Sequence, residues 1–176
     1  LWDGMDKDGF RFLDHFPKEL LDGQPSDTDM SLKYKNGSLF QVIGTDNINR
    51  VVGTNPIGCV FSEYALQDPR AWDYIRPIIA ENGGWAIFNF TPRGENHGKD
   101  LLEYAQSDKD NWYWEILTAE DTGAISKDVL EQERKEIINQ YGNDALYQQE
   151  YMCSFTVPIS GAYYASFLLG AYKQNR

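Results

Sequence analysis

The stretch of sequence that decides the fold runs from residue 57 to residue 94 and reads IGCVFSEYALQDPRAWDYIRPIIAENGGWAIFNFTPRG. It opens with a short apolar run, Ile57–Phe61, and a second one follows at Trp85–Phe90. Runs that are apolar on both faces are typical of strands buried within a parallel sheet. Between them, large apolar residues recur at helical spacing over Pro69–Ala80, and Gly83-Gly84 ends the helix. The order strand, helix, strand predicts two adjacent parallel strands and an α/β layered sheet.

A hairpin, a helix and a third strand are predicted on either side of this unit. Two β-prone runs, Met30–Lys35 and Ser38–Gly44, are joined by Asn36-Gly37, and this dipeptide between such runs is a strong hairpin signal. Downstream, the apolar pattern predicts a helix over about residues 98–107 and a strand over Trp112–Leu117.

The last third of the chain loses the strand signals and becomes helical. Ser126 can cap a helix that runs to about Tyr141, and a second, short helix is predicted over Asp144–Gln149. Glu131 and Lys135 are four residues apart on the longer helix, which is the spacing of a stabilising ion pair.

Charge and composition exclude several classes of protein. The 176 residues carry 16 basic and 27 acidic side chains, so a basic surface that binds nucleic acid throughout is excluded, whereas local DNA contacts are not. The apolar runs are too short to span a membrane. Cys59 and Cys153 are far apart and show no CxxC spacing, which excludes a disulfide framework and a zinc ribbon. Aromatic residues make up 14% of this acidic chain, which is also compatible with a carbohydrate-handling domain.

The first candidate for chemistry is the polar pair Ser62-Glu63, directly after the first apolar run. Nucleotide hydrolases place carboxylates at the carboxyl edge of a sheet, where one handles Mg²⁺ and another polarises the attacking water. Glu63 is the candidate for such a carboxylate. The alternative is a solvated glutamate at a strand end, which is the commoner situation when this pattern is found alone.

The second candidate is Thr91-Pro92-Arg93-Gly94, at the end of the second apolar run. A hydroxyl at this edge can sense a phosphate or the attacking water, while the proline and the glycine shape the turn. The alternative is an ordinary turn after a strand. Arg50 and Arg93 are also candidate contacts for phosphate or DNA, with surface solvation as the alternative.

A lysine-containing loop, Gly94–Asp100, follows a strand and precedes a helix, as a phosphate-binding P-loop does. The P-loop pattern requires four residues between its glycines and a Ser or Thr after the lysine. Here three residues separate Gly94 from Gly98, and Asp100 follows Lys99. We therefore reject this loop as a phosphate site.

Other polar residues give weaker signals. His15 and His97 are too isolated in the sequence to indicate a site. Glu115, Glu120 and Asp121 can form a carboxylate cluster, with solvated loop acids as the alternative.

Taken together, these blocks resemble the large terminase subunit of tailed bacteriophages, the motor that packages DNA into the capsid. The resemblance covers about residues 31–164, and it rests on consecutive blocks, which makes it more specific than any single motif. The blocks that carry it are Asn36-Gly37-Ser38, Gln41–Asn47, Val60–Ala65, Asp68-Pro69, Trp72, Ile75-Arg76-Pro77, Gly84–Gly94 and Gln149–Phe155.

The resemblance implies an α/β fold, namely a partial parallel-sheet core of a P-loop-type ATPase with a small helical lid subdomain. It implies that Ile57–Phe61 is the Walker B strand, that Glu63 is the catalytic carboxylate and that Thr91, Pro92, Arg93 and Gly94 couple hydrolysis to movement. ATP and Mg²⁺ are the implied cofactors. Ser62 stands where many members carry an Asp linked to Mg²⁺. A hydroxyl can ligate that ion or hold one of its waters, but it supplies no charge.

The resemblance also divides the chain. Residues 1–30 are an irregular lead-in, 31–117 the back half of the ATPase core, 118–157 the helical lid, and 158–176 a linker toward a nuclease domain outside the chain. The family places a Walker A loop upstream of the Walker B strand, and none precedes residue 57. We therefore expect a fragment that neither hydrolyses ATP nor cleaves DNA in isolation. The residues that follow Leu1 show neither the basic nor the apolar segment of a signal peptide, so we expect none in them.

The implied partners are double-stranded DNA, the portal protein and the small terminase subunit. The resemblance also implies a ring-shaped homo-oligomer that works in the cytoplasm of a bacterial host, with no membrane as a partner.

Three alternatives to this function stay open. A superfamily-two helicase-like ATPase shares the acidic strand end. A non-catalytic prophage remnant or interaction module is favoured by Ser62 and by the missing Walker A loop. A glycosidase would need two carboxylates about 5–10 Å apart.

Overall fold

The computed structural model describes residues 1–45, 48, 51 and 53–156. It is a mixed α/β structure with a small parallel sheet and several helices. By internal contacts the chain divides into two compact units, one of residues 1–55 with 70–77 and the other of residues 56–69 with 78–176. No helix among the described residues is long and apolar enough to cross a membrane.

The first unit contains the predicted hairpin, which is confirmed but shorter than expected. Strands β1 (Ser31–Lys33) and β2 (Leu39–Gln41) pair antiparallel. The turn closes because the Gly37 N–H donates to the Tyr34 carbonyl at 2.9 Å and Gly37 has a φ of +87°. Only glycine adopts this backbone region without steric cost, so the Asn-Gly dipeptide determines where the chain reverses.

The core of the first unit is built on aromatic rings. Phe12, Phe16 and Phe40 form a cluster with ring centroids 5.0–6.0 Å apart, and Leu32 beside them on β1 is 1% exposed. Trp2 is buried as well, and its indole N–H donates to Asp27 at 3.0 Å. The lead-in that the sequence marks as irregular therefore contributes aromatic side chains to a small core.

The second unit contains the predicted parallel pair, and this prediction is confirmed. Strands β3 (Gly58–Ser62) and β4 (Trp85–Asn89) pair in register from Gly58 opposite Trp85 to Ser62 opposite Asn89. Helix α1 (Arg70–Asn82) lies between them in the chain. The chain therefore has the strand, helix, strand order that the sequence predicts, although residues 70–77 of the helix belong to the first unit.

Two glycines at the end of α1 allow β4 to begin directly beside β3. Gly83 ends the helix in the left-handed conformation, with a φ of +60°. Gly84 passes so close to the first strand that a Cβ atom there would lie 2.1 Å from the Ile57 carbonyl oxygen. The next residue, Trp85, donates its N–H to that same carbonyl at 3.0 Å. A side chain at position 84 would therefore block the first hydrogen bond of the sheet.

The prediction that β3 and β4 are buried on both faces is wrong for the described structure. On one face, Phe61 is 3% exposed and its ring stacks on Phe88 at 4.8 Å. On the other face, the paired residues Val60 and Ile87 are 57% and 52% exposed. The reason is that no described element covers this second face.

The prediction of a third strand, over Trp112–Leu117, is also wrong. Residues 112–117 are described, but they belong to no strand. Trp112 is held by packing instead, because its ring lies 5.8 Å from the rings of both Phe88 and Tyr104. Tyr113 and Leu117 beyond it are exposed. In this apolar run, Trp112 therefore packs against other rings and several other side chains are exposed, and the run does not pair with a strand at the sheet edge.

The remaining elements of the second unit are helices, at α2 (His97–Ser107), α3 (Ala119–Thr122), α4 (Lys127–Tyr141) and α5 (Ala145–Glu150). Three of them lie within one or two residues of the predicted bounds. The exception is α3, a single turn that the sequence analysis does not predict. Ser126 precedes α4 as expected, but its side chain makes no capping hydrogen bond.

Helices α4 and α5 pack through one arginine. Arg134 on α4 forms an ion pair with Asp144 at 2.7 Å, and its guanidinium carbon lies 5.8 Å from the centre of the Tyr147 ring. Hydrogen bonds from Gln148 and Arg134 lower the pKa of Asp144 below its usual value. The predicted ion pair between Glu131 and Lys135 is confirmed, at 3.2 Å.

Candidate functional site

The structure brings the two candidate motifs to the same edge of the sheet. Ser62 is the last residue of β3, Glu63 follows it, and Ser62 is the register partner of Asn89 at the end of β4. Thr91 comes two residues after Asn89. Because β3 and β4 are parallel, their carboxyl ends meet, and this is the edge at which open α/β sheets bind ligands. Ser62 and Glu63 are both exposed there, and Thr91 is half-buried.

Glu63 has an unusual backbone. Its φ and ψ are 58° and 44°, in the left-handed helical region. Among the described non-glycine residues, positive φ occurs only at Met30, Glu63 and Cys153. This region costs a residue with a side chain roughly 1–2 kcal/mol. Strain of this kind persists only where surrounding contacts impose it, and it is concentrated at functional sites.

The turn after Glu63 is closed by local hydrogen bonds. A short 3₁₀ helix, Tyr64–Leu66, begins directly after it, and the Leu66 N–H donates to the Glu63 carbonyl at 2.9 Å. Gln67 reaches back across the turn, and its Nε2 donates to the Ser62 carbonyl at 2.6 Å. The Oε1 atom of Gln67 is buried and accepts no hydrogen bond.

The same turn is also held from the start of α2. Asn96 Nδ2 donates to the Ala65 carbonyl at 2.9 Å, and His97 Nε2 lies 2.8 Å from the Tyr64 carbonyl. Asn96 additionally caps α2, because its Oδ1 accepts the Gly98 N–H at 3.0 Å. Sequence reasoning missed these contacts and regarded His97 as isolated. The position of Asn96 immediately before a helix was a usable signal for the cap, but not for the bond to residue 65.

Below the turn lies a layer of aromatic rings. Tyr64 is 3% exposed, and its ring contacts Phe61, Phe88 and His97 with centroids 4.8–5.7 Å apart. Phe90 lies somewhat further from it, at 6.1 Å. The exposed Glu63 is therefore placed directly before a rigid, buried anchor.

The second motif is joined to the helical region. Pro92 and Gly94 are buried, and Gly94 takes a φ of +67°. Arg93 forms an ion pair with Glu150 at the end of α5. Gln149 Nε2 also donates to the same carboxylate, at 3.0 Å. The loop after β4 is thus linked to a helix that lies more than fifty residues further along the chain.

The lysine of the rejected P-loop is engaged with carboxylates. Lys99 lies 2.7 Å from Glu95 and 3.7 Å from Glu103. The hydrogen bond to Glu95 is the main reason why the pKa of Lys99 is raised. A lysine that lies between two carboxylates near the start of its helix is poorly placed to hold a phosphate. This agrees with our rejection of the loop as a phosphate site.

The other acidic candidates do not form a metal site. Asp121 belongs to a capping box with Thr118 at the start of α3, and the hydrogen bond from the Thr118 hydroxyl lowers its pKa. Glu115 interacts with the hydroxyl of Tyr113, whose pKa it raises. Across the described residues, no three His, Cys, Asp or Glu side chains are grouped so that they could hold a metal ion.

Ser62 and Glu63 nevertheless carry the kinds of oxygen that bind Mg²⁺ when phosphates supply further ligands. Mg²⁺ is usually bound by one or two carboxylates with substrate phosphates and waters, rather than by a complete protein cage. An exposed hydroxyl and an exposed carboxylate on two consecutive residues would be such a partial set. Arg50 lies outside the described residues. Cys59 takes no part in this set, and burial raises the pKa of its thiol.

Comparison with known proteins gives one informative similarity. No family model and no solved structure matches the chain. The chain is 27% identical over 133 residues to a protein described as "Terminase, large subunit" of Escherichia phage T5. The match covers 73% of this chain and 29% of that protein. This chain therefore contains a region similar to less than a third of a phage large terminase subunit, in agreement with the resemblance that the sequence blocks carry.

Proposed function

We propose that this chain is part of the ATPase engine of a phage or prophage large terminase subunit, which drives double-stranded DNA into a capsid. The observation that carries the proposal is the exposed carboxylate of Glu63, held in a left-handed turn at the carboxyl edge of two parallel strands. The similarity to the large terminase subunit of phage T5 supports it independently.

In this proposal Glu63 acts on the attacking water. A carboxylate at this edge accepts a proton from the water or orients it toward the γ-phosphate of ATP. The strained backbone supports this role, because a solvated surface glutamate gains nothing from a conformation that costs free energy.

Ser62 would contribute to holding Mg²⁺. The ion, when bound, would neutralise charge that develops on the transferring phosphoryl group. The Ser62 hydroxyl would ligate it or hold one of its waters, and Glu63 would supply the negative charge that Ser62 lacks. The remaining ligands would come from phosphate oxygens and water.

Residues Thr91 to Gly94 would couple hydrolysis to movement. Thr91 lies at the edge shared with Glu63, where a hydroxyl can sense the presence of the γ-phosphate. The ion pair between Arg93 and Glu150 supports the coupling, because it joins this loop to α5 in the helical region. That region, with α4 and α5, would act as the lid of the nucleotide site.

The complete motor requires more than these elements. The sequence holds no P-loop pattern, so we propose that a Walker A loop and the remaining strands come from outside residues 1–176. The proposed partners are the portal protein, the small terminase subunit, DNA and further copies in a ring, in the cytoplasm of an infected bacterium. A nuclease domain would follow residue 176.

The test is Glu63→Gln in the complete gene product. Glutamine keeps the shape and the hydrogen-bonding capacity of the side chain but cannot accept the proton. We expect the rate of single-site ATP hydrolysis to fall by a factor of about 10²–10⁴, while ATP affinity stays close to that of the wild type. Glu81→Gln, which changes an exposed carboxylate on α1, is the matched control and should leave both quantities unchanged. Near-normal turnover by Glu63→Gln would refute the catalytic assignment.

A companion variant, Ser62→Ala, tests the magnesium role. If the hydroxyl holds a metal-bound water, turnover should fall moderately and recover at high Mg²⁺ concentration. Direct ligation predicts a loss comparable with that of Glu63→Gln. The measurement is the ATPase rate as a function of Mg²⁺ concentration, and a rate equal to the wild type at every concentration would remove Ser62 from the site.

A second candidate function is a non-catalytic interaction module of prophage origin. It is favoured by a specific observation, because Lys99, the lysine of the P-loop-like loop, is paired with Glu95 and Glu103. Nucleotide binding by the complete gene product separates the two functions. A motor binds ATP tightly in the presence of Mg²⁺, whereas the module does not.

A further inference from the structure

Four successive carbonyl groups, from residue 62 to residue 65, all accept hydrogen bonds around Glu63. The Glu63 carbonyl is bonded locally, by the Leu66 N–H. The other three accept hydrogen bonds from side chains, at 2.6–2.9 Å, and the Tyr64 carbonyl also accepts the backbone N–H of Gln67, at 3.0 Å. We call these three side chains the carbonyl clamp, and they are Gln67, Asn96 and His97.

The chemistry of the acceptors fixes the orientation of the clamp. A carbonyl oxygen cannot donate, so His97 Nε2 must carry the hydrogen that it shares with the Tyr64 carbonyl. For the same reason the Gln67 amide must present its NH₂ group to the Ser62 carbonyl. The opposite amide orientation would set two oxygens 2.6 Å apart. Gln67 therefore keeps this orientation even though its Oε1 is left buried without a partner.

The clamp is anchored where the second motif ends. Asn96 and His97 begin α2, two residues after Gly94. Asn96 is held at both ends of its amide, by the Gly98 N–H and by the Ala65 carbonyl. A Cβ atom on Gly98 would lie 2.9 Å from the Phe90 ring, so the start of the helix is tightly packed against the end of β4. The His97 ring meets Tyr64 edge to face at 4.8 Å.

We infer that Gln67, Asn96 and His97 are positioning residues for Glu63. They tie the backbone on both sides of it, at residues 62, 64 and 65, and so impose the left-handed conformation that Glu63 would otherwise leave. The inference rests on the proposed function, in which Glu63 is the catalytic carboxylate. It goes further, because it states that residues at the start of α2 hold that carboxylate in place. These residues directly follow the loop that is proposed to sense the γ-phosphate.

The clamp affects the rate through the position of the Glu63 carboxylate. Displacing a reacting group by about 1 Å can cost up to about 100-fold in rate, even when the altered residue lies away from the chemistry. Loss of one clamp bond removes one of the side chains that tie the turn in place, and the strain at Glu63 then favours relaxation toward negative φ. At Tyr64 the bond that is lost is the one to α2, since the backbone N–H of Gln67 still binds that carbonyl. The carboxylate would move although its own side chain is unchanged.

The test uses variants that separate the hydrogen bond from the packing. His97→Phe keeps a ring against Tyr64 but removes the donor, and His97→Gln restores a donor without the ring. Asn96→Asp keeps the oxygen that caps α2 but removes the NH₂ group that binds the Ala65 carbonyl. In the complete gene product we expect His97→Phe and Asn96→Asp to lower kcat for ATP hydrolysis by about 10- to 100-fold, with little change in KM. His97→Gln should recover most of the loss.

A double variant shows whether His97 acts through Glu63. Residues that act as a unit are strongly non-additive. His97→Phe should therefore not lower the residual rate of Glu63→Gln any further. An equal loss in both backgrounds would overturn the inference, and so would wild-type kcat in both His97→Phe and Asn96→Asp when Glu63→Gln is inactive.

A second readout does not depend on activity. The backbone ¹³C and ¹⁵N chemical shifts of Glu63 in the labelled 176-residue chain report its φ and ψ. We expect them to move toward values for negative φ in His97→Phe and to stay close to the wild type in His97→Gln. Unchanged shifts in His97→Phe would overturn the clamp. Failure of the proposed function is a separate result, because it appears as normal turnover by Glu63→Gln.

Discussion

At the residue scale, Glu63 has a backbone conformation that favours glycine, although the residue carries a large charged side chain. Its left-handed backbone suits glycine, and a non-glycine residue loses roughly 1–2 kcal/mol there. Its side chain is exposed, so no buried contact offsets this cost locally. The compensation comes from the hydrogen bonds of the carbonyl clamp. A residue that is unfavourable for stability is explained if its carboxylate is needed for function.

This conflict gives a stability prediction. Glu63→Gly and Glu63→Ala both remove the carboxylate, but only glycine relieves the strain. We expect the glycine variant to be more stable than the alanine variant by about 1 kcal/mol, measured by urea unfolding of the isolated chain. Both variants should lack the activity proposed for Glu63. An alanine variant as stable as the glycine variant would mean that the turn is not strained.

The sequence places Glu63 and Thr91 at one edge of the sheet, but it does not indicate the residues that hold the turn around Glu63. Each of those two follows an apolar run, and the carboxyl ends of parallel strands meet at one edge, so a local pattern is sufficient to place both. The clamp bonds of Asn96 and His97 join positions 31 and 33 residues apart and end on backbone atoms. A carbonyl oxygen is present at every residue, so no residue type in the sequence marks its partner.

At the element scale, prediction succeeds where the signal is local. Gly37 and Gly83 each take positive φ at the turn or helix end that the sequence indicates. Prediction fails where an element needs a partner. Residues 112–117 have strand-like composition, but pairing requires a free neighbouring edge in register, and the sequence does not contain that information. Helix α3 is missed because a single turn carries no periodicity.

The connection between the loop after β4 and α5 can be measured by a double-mutant cycle. Arg93 and Glu150 are 34% and 30% exposed, so solvent screens them less than a fully exposed pair. We expect a coupling energy of about 1 kcal/mol between Arg93→Ala and Glu150→Ala in urea unfolding, decreasing at high salt.

The exposed pair of Lys135 and Glu131 on α4 is the matched control. Its side chains are 72% and 59% exposed, and such helical pairs contribute about 0.3–0.5 kcal/mol. If the Arg93–Glu150 cycle gives no more coupling than this control, the ion pair does not hold the loop to α5. The proposed route from the nucleotide edge to the helical region would then lose its main support.

At the scale of the whole molecule, the residues that the structure describes cover the parallel sheet on only one face. Parallel strands are almost always buried on both faces, yet Val60, Trp85 and Ile87 are all more than half exposed in the described structure. The proposed function accounts for this, because a complete P-loop-type core would add strands and a helix over such a face. The apolar composition of β3 and β4 would then reflect the complete protein rather than these residues alone.

Charged substitutions on the uncovered face test whether the complete protein covers it. In the isolated 176-residue chain, Val60→Lys with Ile87→Lys should reduce the binding of a hydrophobic dye and change the free energy of unfolding by only about 1 kcal/mol, because both side chains already contact water. Phe61→Lys is the matched control on the opposite face, where the side chain is 3% exposed. It should lower the free energy of unfolding by about 3–5 kcal/mol, because it removes a packed ring and buries a charge.

In the complete gene product, the lysine substitutions at Val60 and Ile87 should lower the free energy of unfolding as much as Phe61→Lys does, if the proposed core covers this face. If the Val60→Lys, Ile87→Lys double variant of the complete gene product kept its stability and normal ATP turnover, the proposed core would not cover this face.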